Sequence, residues 1–356
     1  MKSMEILDNP YLGLGLEIKD AGAGIMPSVA AELPADLVRS CPRYSETPLI
    51  SIGTIAEQFG VSSVWLKDER KRMGLGSFKA LGAAYVIANQ ARAKEAGQTE
   101  LALKGQTYAA ASAGNHGLSV AAGARIFGAR AVIFLAATVP QEFADRLRNM
   151  GAKVERAGAT YEESMAAAQL AADRNGWTLL SDASWPGYTE LPHRLMEGYL
   201  LMGVENKNQL EQPTTHIFLQ AGVGGMAAAL AAYFRAIWGD DPRIIVVEPE
   251  AAPALLESIR ACKSAVTTGP VSNMGRLDCK EPSMIALNGL ARDANQFMTI
   301  SDEQAEQGLS VLSKTGMDTT PSGGAGIAAL FSGAGRRELG LNANSRVLAI
   351  ISEEAL

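Results

Sequence analysis

The chain has 356 residues, enough for two lobes around a sizeable core, and its 47% hydrophobic and 20% charged content is that of a globular protein. Its 3 His and 3 Cys exclude a Cys/His zinc module, an iron–sulfur cluster or a disulfide scaffold, and its net charge of -6 argues against nucleic acid as a partner. Its chemistry must therefore come from carboxylates, hydroxyls, a lysine or a borrowed cofactor. The start, MKSMEILDNPYLG, lacks the apolar run of a signal peptide. The apolar stretch 109–139 is broken by His116, Arg125 and Arg130, so no membrane span is expected. Cys41, Cys262 and Cys279 are far apart and odd in number, as expected of reduced thiols in a cytoplasm.

Gly13 and Gly15 precede no helical pattern and read as a loop. From about residue 60, short apolar runs alternate with alanine-rich helical stretches. Strands are expected at 61–67, 106–111, 130–136, 153–157 and 177–182, with helices at 78–93, 115–127, 141–150 and 161–174 between them. The second half repeats the pattern, with strands at 215–220, 243–250 and 346–352 and a helix from Met226. Near-continuous Val, Ile, Leu and Ala in strands separated by helices indicates parallel sheets covered on both faces. The expectation is an α/β protein of two doubly wound lobes. Ligands in such sheets sit beyond the carboxyl ends of the strands, so the loops there are where chemistry is sought.

Four of those loops stand out. Gly222, Val223, Gly224 and Gly225 lie between a strand and a helix, where free N–H groups and the helix dipole suit an anion. The turn also matches G-x-G-x-x-A through Ala227, with Glu248 ending the next strand, so a dinucleotide is a rival ligand, as is no ligand at all. Lys79 follows Gly76 and Ser77, a plausible N-cap, and falls in the first helical turn, where the dipole disfavours a cation. A lysine with a depressed ammonium pKa suits an imine; a solvated surface lysine is the bland alternative. Ser112, Ala113, Gly114, Asn115 and His116 open another helix and offer backbone donors for a carboxylate and an amide for a phenolic oxygen; a helix cap and a packed histidine are the alternative. Ser352 ends the last strand, and by alternation Glu353 should point to the opposite face.

Together these loops supply what pyridoxal 5′-phosphate requires: an anion cradle, a lysine, an amide and a hydroxyl. The chain resembles fold-type II pyridoxal-phosphate enzymes of the tryptophan synthase β family, and within it the diaminopropionate ammonia-lyases. The resemblance rests on TPL (47–49), WLKDE (65–69), GLGSFKALGAAY (74–85), SAGNHG (112–117), DASWPGYTELP (182–192), QAGVGG (220–225) and VVEPE (246–250). SNMGRLDCKEPS (272–283) and SGGAGIAAL (322–330) match more weakly. The resemblance implies a large cofactor-binding domain of residues 1–77 and 181–356 and a small domain of 78–180. It implies that Lys79 holds the cofactor and then serves as base at Cα, and that residues 222–225 bind its phosphate. Asn115 would bond O3′, Ser352 the ring nitrogen, and the loop from Ser112 to His116 the substrate α-carboxylate. Asp182 would transfer protons toward an L-substrate. A neutral serine at the ring nitrogen would weaken the electron sink, which suits β-elimination.

The implied activity is β-elimination from a small β-substituted L-amino acid, giving a 2-oxo acid and ammonia, by a cytoplasmic homodimer without metal. Three departures bear on the substrate. Ala113 stands where lyases accepting the D-isomer carry aspartate, Pro321 where the family commonly has glutamate, and Glu354 where it usually has glycine. A serine/threonine or hydroxyaspartate-type dehydratase is the nearer alternative, and an NAD-dependent oxidoreductase using Gly222 and Glu248 the more distant one.

Overall fold

The computed structural model describes residues 4–16, 24–94, 99–112, 114–331 and 336–355. Its strands, in chain order, are β1 (Ile6–Asp8), β2 (Leu49–Ser51), β3 (Ser63–Asp68), β4 (Thr107–Ala111), β5 (Arg130–Leu135), β6 (Lys153–Arg156), β7 (Thr178–Leu179), β8 (His216–Gln220), β9 (Arg243–Pro249), β10 (Gln296–Ile300) and β11 (Arg346–Ile351). They form a seven-stranded sheet in the order β1-β10-β9-β8-β11-β3-β2 and a four-stranded sheet in the order β6-β5-β4-β7. The smaller sheet is wholly parallel, and its central strands β4 and β5 are buried apart from Arg130. The fold is thus two α/β units, as the alternation of apolar runs and helical stretches implies.

The larger sheet departs from the all-parallel expectation at both edges. β1 pairs antiparallel with β10, and β2 antiparallel with β3, around a parallel centre. Each edge strand has three residues and a half-exposed pattern, too short to show any periodicity. The expected strand 177–182 shrinks to β7, because Ser181 turns out of the sheet and its N–H bonds the Tyr188 hydroxyl at 3.1 Å. That turn leaves Asp182 in a loop beyond the carboxyl end of the sheet.

The helix Lys79–Ala93 lies against the helix Glu190–Gln209 at close range. A Cβ on Gly198 would sit 2.5 Å from the Leu81 carbonyl oxygen, and one on Gly82 would sit 2.7 Å from Leu195. Glycine at these two points lets the backbones approach. The contact sets Lys79 beside Tyr199, whose ring packs on Phe78 with centroids 5.1 Å apart.

Candidate active site

The segment after β11 fastens the lysine loop. The Phe78 N–H donates to the Ser352 carbonyl at 3.1 Å, and the Glu354 N–H to the Gly76 carbonyl at 2.9 Å. Gly76 has φ +79, and a Cβ there would strike the Glu354 side chain. Glu354 is therefore matched to a glycine opposite. The expected cap does not form: the helix begins at Lys79 without a side-chain cap, and the Ser77 hydroxyl is buried without a partner among the described residues. Ser77 lies opposite Glu353 in an antiparallel bridge whose hydrogen bonds are those two made by its neighbours Gly76 and Phe78.

Lys79 Nζ donates to Asp182 Oδ2 in a partly buried ion pair. Burial alone would lower the ammonium pKa, but the Asp182 carboxylate, helped by Tyr199, overrides it and raises it well above the ordinary lysine value. The depressed ammonium expected from the helix dipole is thus corrected: a carboxylate in contact outweighs a dipole of half a charge. Burial pushes the Asp182 carboxyl up, but Lys79 and then His116 more than reverse it and hold it well below the usual range. His116 is buried and its pKa lowered, chiefly by desolvation, so it is neutral near pH 7. Its Nε2 lies 2.8 Å from the Leu180 carbonyl and must carry the proton, which leaves Nδ1 as a buried acceptor without a partner among the described residues.

Three further side chains face this pair. The Tyr199 hydroxyl is buried, and its pKa is raised by desolvation. Burial pushes the Cys279 thiol up to about 12, with the Asp182 charge adding to it, so the thiol is protonated. Tyr161, the first residue of the helix Tyr161–Asn175, is half-exposed, and its phenol is raised by the protein packed around it first and by Asp182 next. None of the three was legible as a site residue: Tyr161 and Tyr199 sit in unremarkable helical patterns, and Cys279 lies in a weakly matching segment.

Asn115 opens the helix Asn115–Ile126. The Ser112 hydroxyl ties the loop before it, accepting from the Gly114 N–H at 3.2 Å and the Gly117 N–H at 3.1 Å. Ala113 lies outside the described residues. The Asn115 amide donates to Glu353 Oε2, not to Ser352. Glu353 is 4% exposed and also takes Arg276 Nε at 2.8 Å and the Thr320 hydroxyl. The strand ends at Ile351, so the alternation expected to turn Glu353 away no longer governs its direction. Ser352 is buried beside it. Pro321 begins the helix Pro321–Phe331, a position where its missing N–H costs nothing, and Thr320 accepts the Gly323 N–H at 3.0 Å.

The glycine turn sits at the carboxyl end of β8, and the helix Gly225–Trp238 starts within it. The first N–H groups of that helix have no intrahelical acceptor. Gly224 has φ +95, where a side chain would be strained. A Cβ on Gly225 would be in ordinary contact with Met196 at 3.7 Å and with the Asp182 carbonyl and Tyr199 at 3.9 Å, so the turn packs beside the residues of the lysine–aspartate pair. Glu248 does not join it. It is fully buried, capping the helix Ala254–Ala261 by accepting from Leu255 N at 2.7 Å and Leu256 N at 2.8 Å. A dinucleotide ribose would find that carboxyl already taken, which overturns the oxidoreductase alternative. An anion cradle, a lysine and an amide around one space, with His116 Nδ1 and the Tyr199 hydroxyl unpartnered, fit an aldehyde that carries a phosphate. Among the described residues, no group of three or more His, Cys, Asp or Glu is placed to hold a metal ion. No described helix is long and apolar enough to cross a membrane.

The sequence model of the family described as "Pyridoxal-phosphate dependent enzyme" matches residues 41–353. A diaminopropionate ammonia-lyase of Escherichia coli (strain K12) is 32% identical over 296 residues, covering 79% of this chain and 74% of that protein. The crystal structure of the holo diaminopropionate ammonia lyase from Escherichia coli superposes with a TM-score of 0.89 at 29% identity, covering 99% of this chain and 94% of that one. A structure of the same lyase with an aminoacrylate-PLP azomethine reaction intermediate gives 0.88 at 29% identity, covering 99% and 94%.

Proposed function

The chain belongs to the pyridoxal-phosphate-dependent enzyme family, and on that premise we propose that it eliminates the β-substituent of a small L-amino acid resembling 2,3-diaminopropionate. Ammonia leaves Cβ, the 2-aminoacrylate hydrolyses in water, and pyruvate is released with the second nitrogen as ammonia. When bound, pyridoxal phosphate supplies the electron sink for a Cα carbanion. The observation that carries the proposal is the ion pair of Lys79 with Asp182 beside the glycine turn.

In this reading Lys79 holds the cofactor and then takes the Cα proton, while residues 222–225 hold the phosphate through backbone N–H groups. Asp182, kept ionised by its neighbours, accepts the proton that Lys79 gives up and returns one to the departing amine. Asn115 is assigned to O3′ and Ser352 to the ring nitrogen, both buried, the one at the start of the helix Asn115–Ile126 and the other just past the end of β11. The N–H groups at the start of the helix Asn115–Ile126, with Ser112 and His116, are assigned to the substrate α-carboxylate. Residues 78–180, which contain the four-stranded sheet, are assigned to a small domain and the remainder to a large one. A cytoplasmic homodimer completes the proposal, the three free cysteines being compatible with a reducing compartment.

The test is oxo-acid and ammonia release by the cofactor-loaded protein from L-2,3-diaminopropionate, L-serine and a 3-hydroxyaspartate. Turnover of the first at the highest kcat/KM supports the reading; a preference for either hydroxy acid moves the enzyme to the dehydratases. The D-isomer is expected to be inert, because residue 113 is an alanine and supplies no acid–base group. Pyruvate from pure D-2,3-diaminopropionate would overturn that expectation.

A further inference from the structure

Arg276 lies between the two parts of the site that would face the cofactor and the substrate. Its backbone belongs to the glycine turn's wall: its carbonyl oxygen is 3.1 Å from where a Gly222 Cβ would be, and its N–H donates to the Ser322 hydroxyl at 3.1 Å. Its side chain crosses to the asparagine loop, where Nη1 is 3.7 Å from the Cβ position of Gly114. The guanidinium carbon also stands 5.8 Å from the centre of the Phe143 ring. Its orientation is fixed from behind. Nε is bonded to Glu353, whose carboxylate is held by Asn115 and Thr320. The terminal nitrogens Nη1 and Nη2 hydrogen-bond no described residue, and the side chain keeps 27% exposure.

We infer that Arg276 is a substrate-binding residue whose free Nη atoms take a carboxylate of the amino-acid substrate at the Gly114 edge of the asparagine loop. A guanidinium with one edge occupied still presents donors in a planar fork to a second carboxylate. Glu353 is the positioning residue: it holds Arg276 and Asn115 on one carboxylate and balances the charge while the substrate is absent. The inference rests on the lyase reading above and narrows it to substrates whose binding depends on that anion. The carboxylate is either the α-carboxylate or a second one on Cβ, and the substrates used in the test separate the two.

The experiment is steady-state kinetics of cofactor-loaded R276Q, R276K and R276Q/E353Q with L-2,3-diaminopropionate and a 3-hydroxyaspartate. R276Q should raise KM about 10- to 100-fold with kcat within about threefold, the loss of a charge-assisted bond in uniform binding. R276K, which keeps the charge without the fork, should fall between. A rise for both substrates assigns the α-carboxylate; a rise for the dicarboxylate alone assigns the second one. The double variant separates binding from mere neutralisation of Glu353, and its cofactor absorbance reports whether the site is intact. If R276Q/E353Q returns to the wild-type KM, Arg276 serves only Glu353 and the inference is wrong. It is equally wrong if R276Q leaves KM within about twofold for both substrates. A wild-type enzyme that releases oxo acid from no β-substituted L-amino acid would instead refute the lyase reading itself.

Discussion

Two buried lysine–carboxylate clusters invite comparison, because they are built from the same residue types and finished differently. In the first, Lys67 Nζ bonds the Thr47 carbonyl at 2.7 Å, Gln209 Oε1 at 2.8 Å and Glu205 Oε2 at 2.7 Å. Those three acceptors use all the donors an ammonium has. Arg72 closes the same cluster with forked bonds to Glu69 and Glu205 and one to Thr47 at 2.8 Å. Both Lys67 and Glu205 side chains are 0% exposed. In the second cluster Lys79 has Asp182 as its hydrogen-bond partner, both remain partly exposed, and His116 Nδ1 and the Tyr199 hydroxyl are buried beside them without partners among the described residues. A saturated cluster ties β3 to the helix Glu190–Gln209. An unsaturated one keeps donors and acceptors available for something that arrives.

The comparison breaks or holds on substitutions that remove one member of each. Lys79→Ala should lower kcat about 10⁴-fold and abolish the cofactor's visible absorbance band, while the cofactor-free protein loses under about 2 kcal/mol of stability. A variant that keeps the band and measurable turnover would show that Lys79 is not the attachment point. Glu205→Ala should cost about 3–5 kcal/mol, read as a denaturant midpoint, because it leaves the buried Lys67 without a carboxylate in contact and Arg72 with Glu69 alone. Full catalytic rate at temperatures where that variant stays folded is the companion expectation. Asp182→Asn should lower kcat about 10²- to 10³-fold with little change in melting temperature. Unchanged turnover would remove Asp182 from proton transfer.

Much of the framework was readable before any coordinates. Apolar runs separated by alanine-rich stretches located most of the parallel strands, and glycine turns after strands drew attention to the loops at Lys79 and at residues 222–225. What sequence could not show was which side chains converge from distant segments. Glu353 and Asn115 lie 238 positions apart, and only the end of β11 at Ile351 frees Glu353 to turn toward the amide. WLKDE matched the family as readily as the Lys79 loop did, yet Lys67 is structural, because its acceptors come from residues 47, 205 and 209. The ammonium pKa of Lys79 was expected in the wrong direction for the same reason: its counter-charge stands 103 residues away. Charge is set by tertiary neighbours, and local rules such as the helix dipole give way to them.

Glu248 extends the series of buried carboxylates and gives the finest test. Glu205 has two cations in contact and Asp182 one, and both are held below the usual carboxylate range. Glu248 has only two backbone N–H donors, and burial, which those donors only partly offset, raises it to about 8. The sign follows from proton binding. Between pH 4.5 and about 8 the folded chain keeps a proton on Glu248 that the unfolded chain has lost, so its contribution to stability falls as pH rises across that window and levels off above it. Glu248→Gln removes the titration. At pH 5 the variant should be about 1 kcal/mol less stable than the wild type, since the amide's NH₂ cannot accept the second backbone bond. The gap should close within about one pH unit and then reverse in the variant's favour, because only the wild type loses stability over that interval, at about 1.4 kcal/mol per pH unit. A gap that stayed constant from pH 5 to 8 instead would mean that the helix end holds Glu248 ionised without any cation in contact.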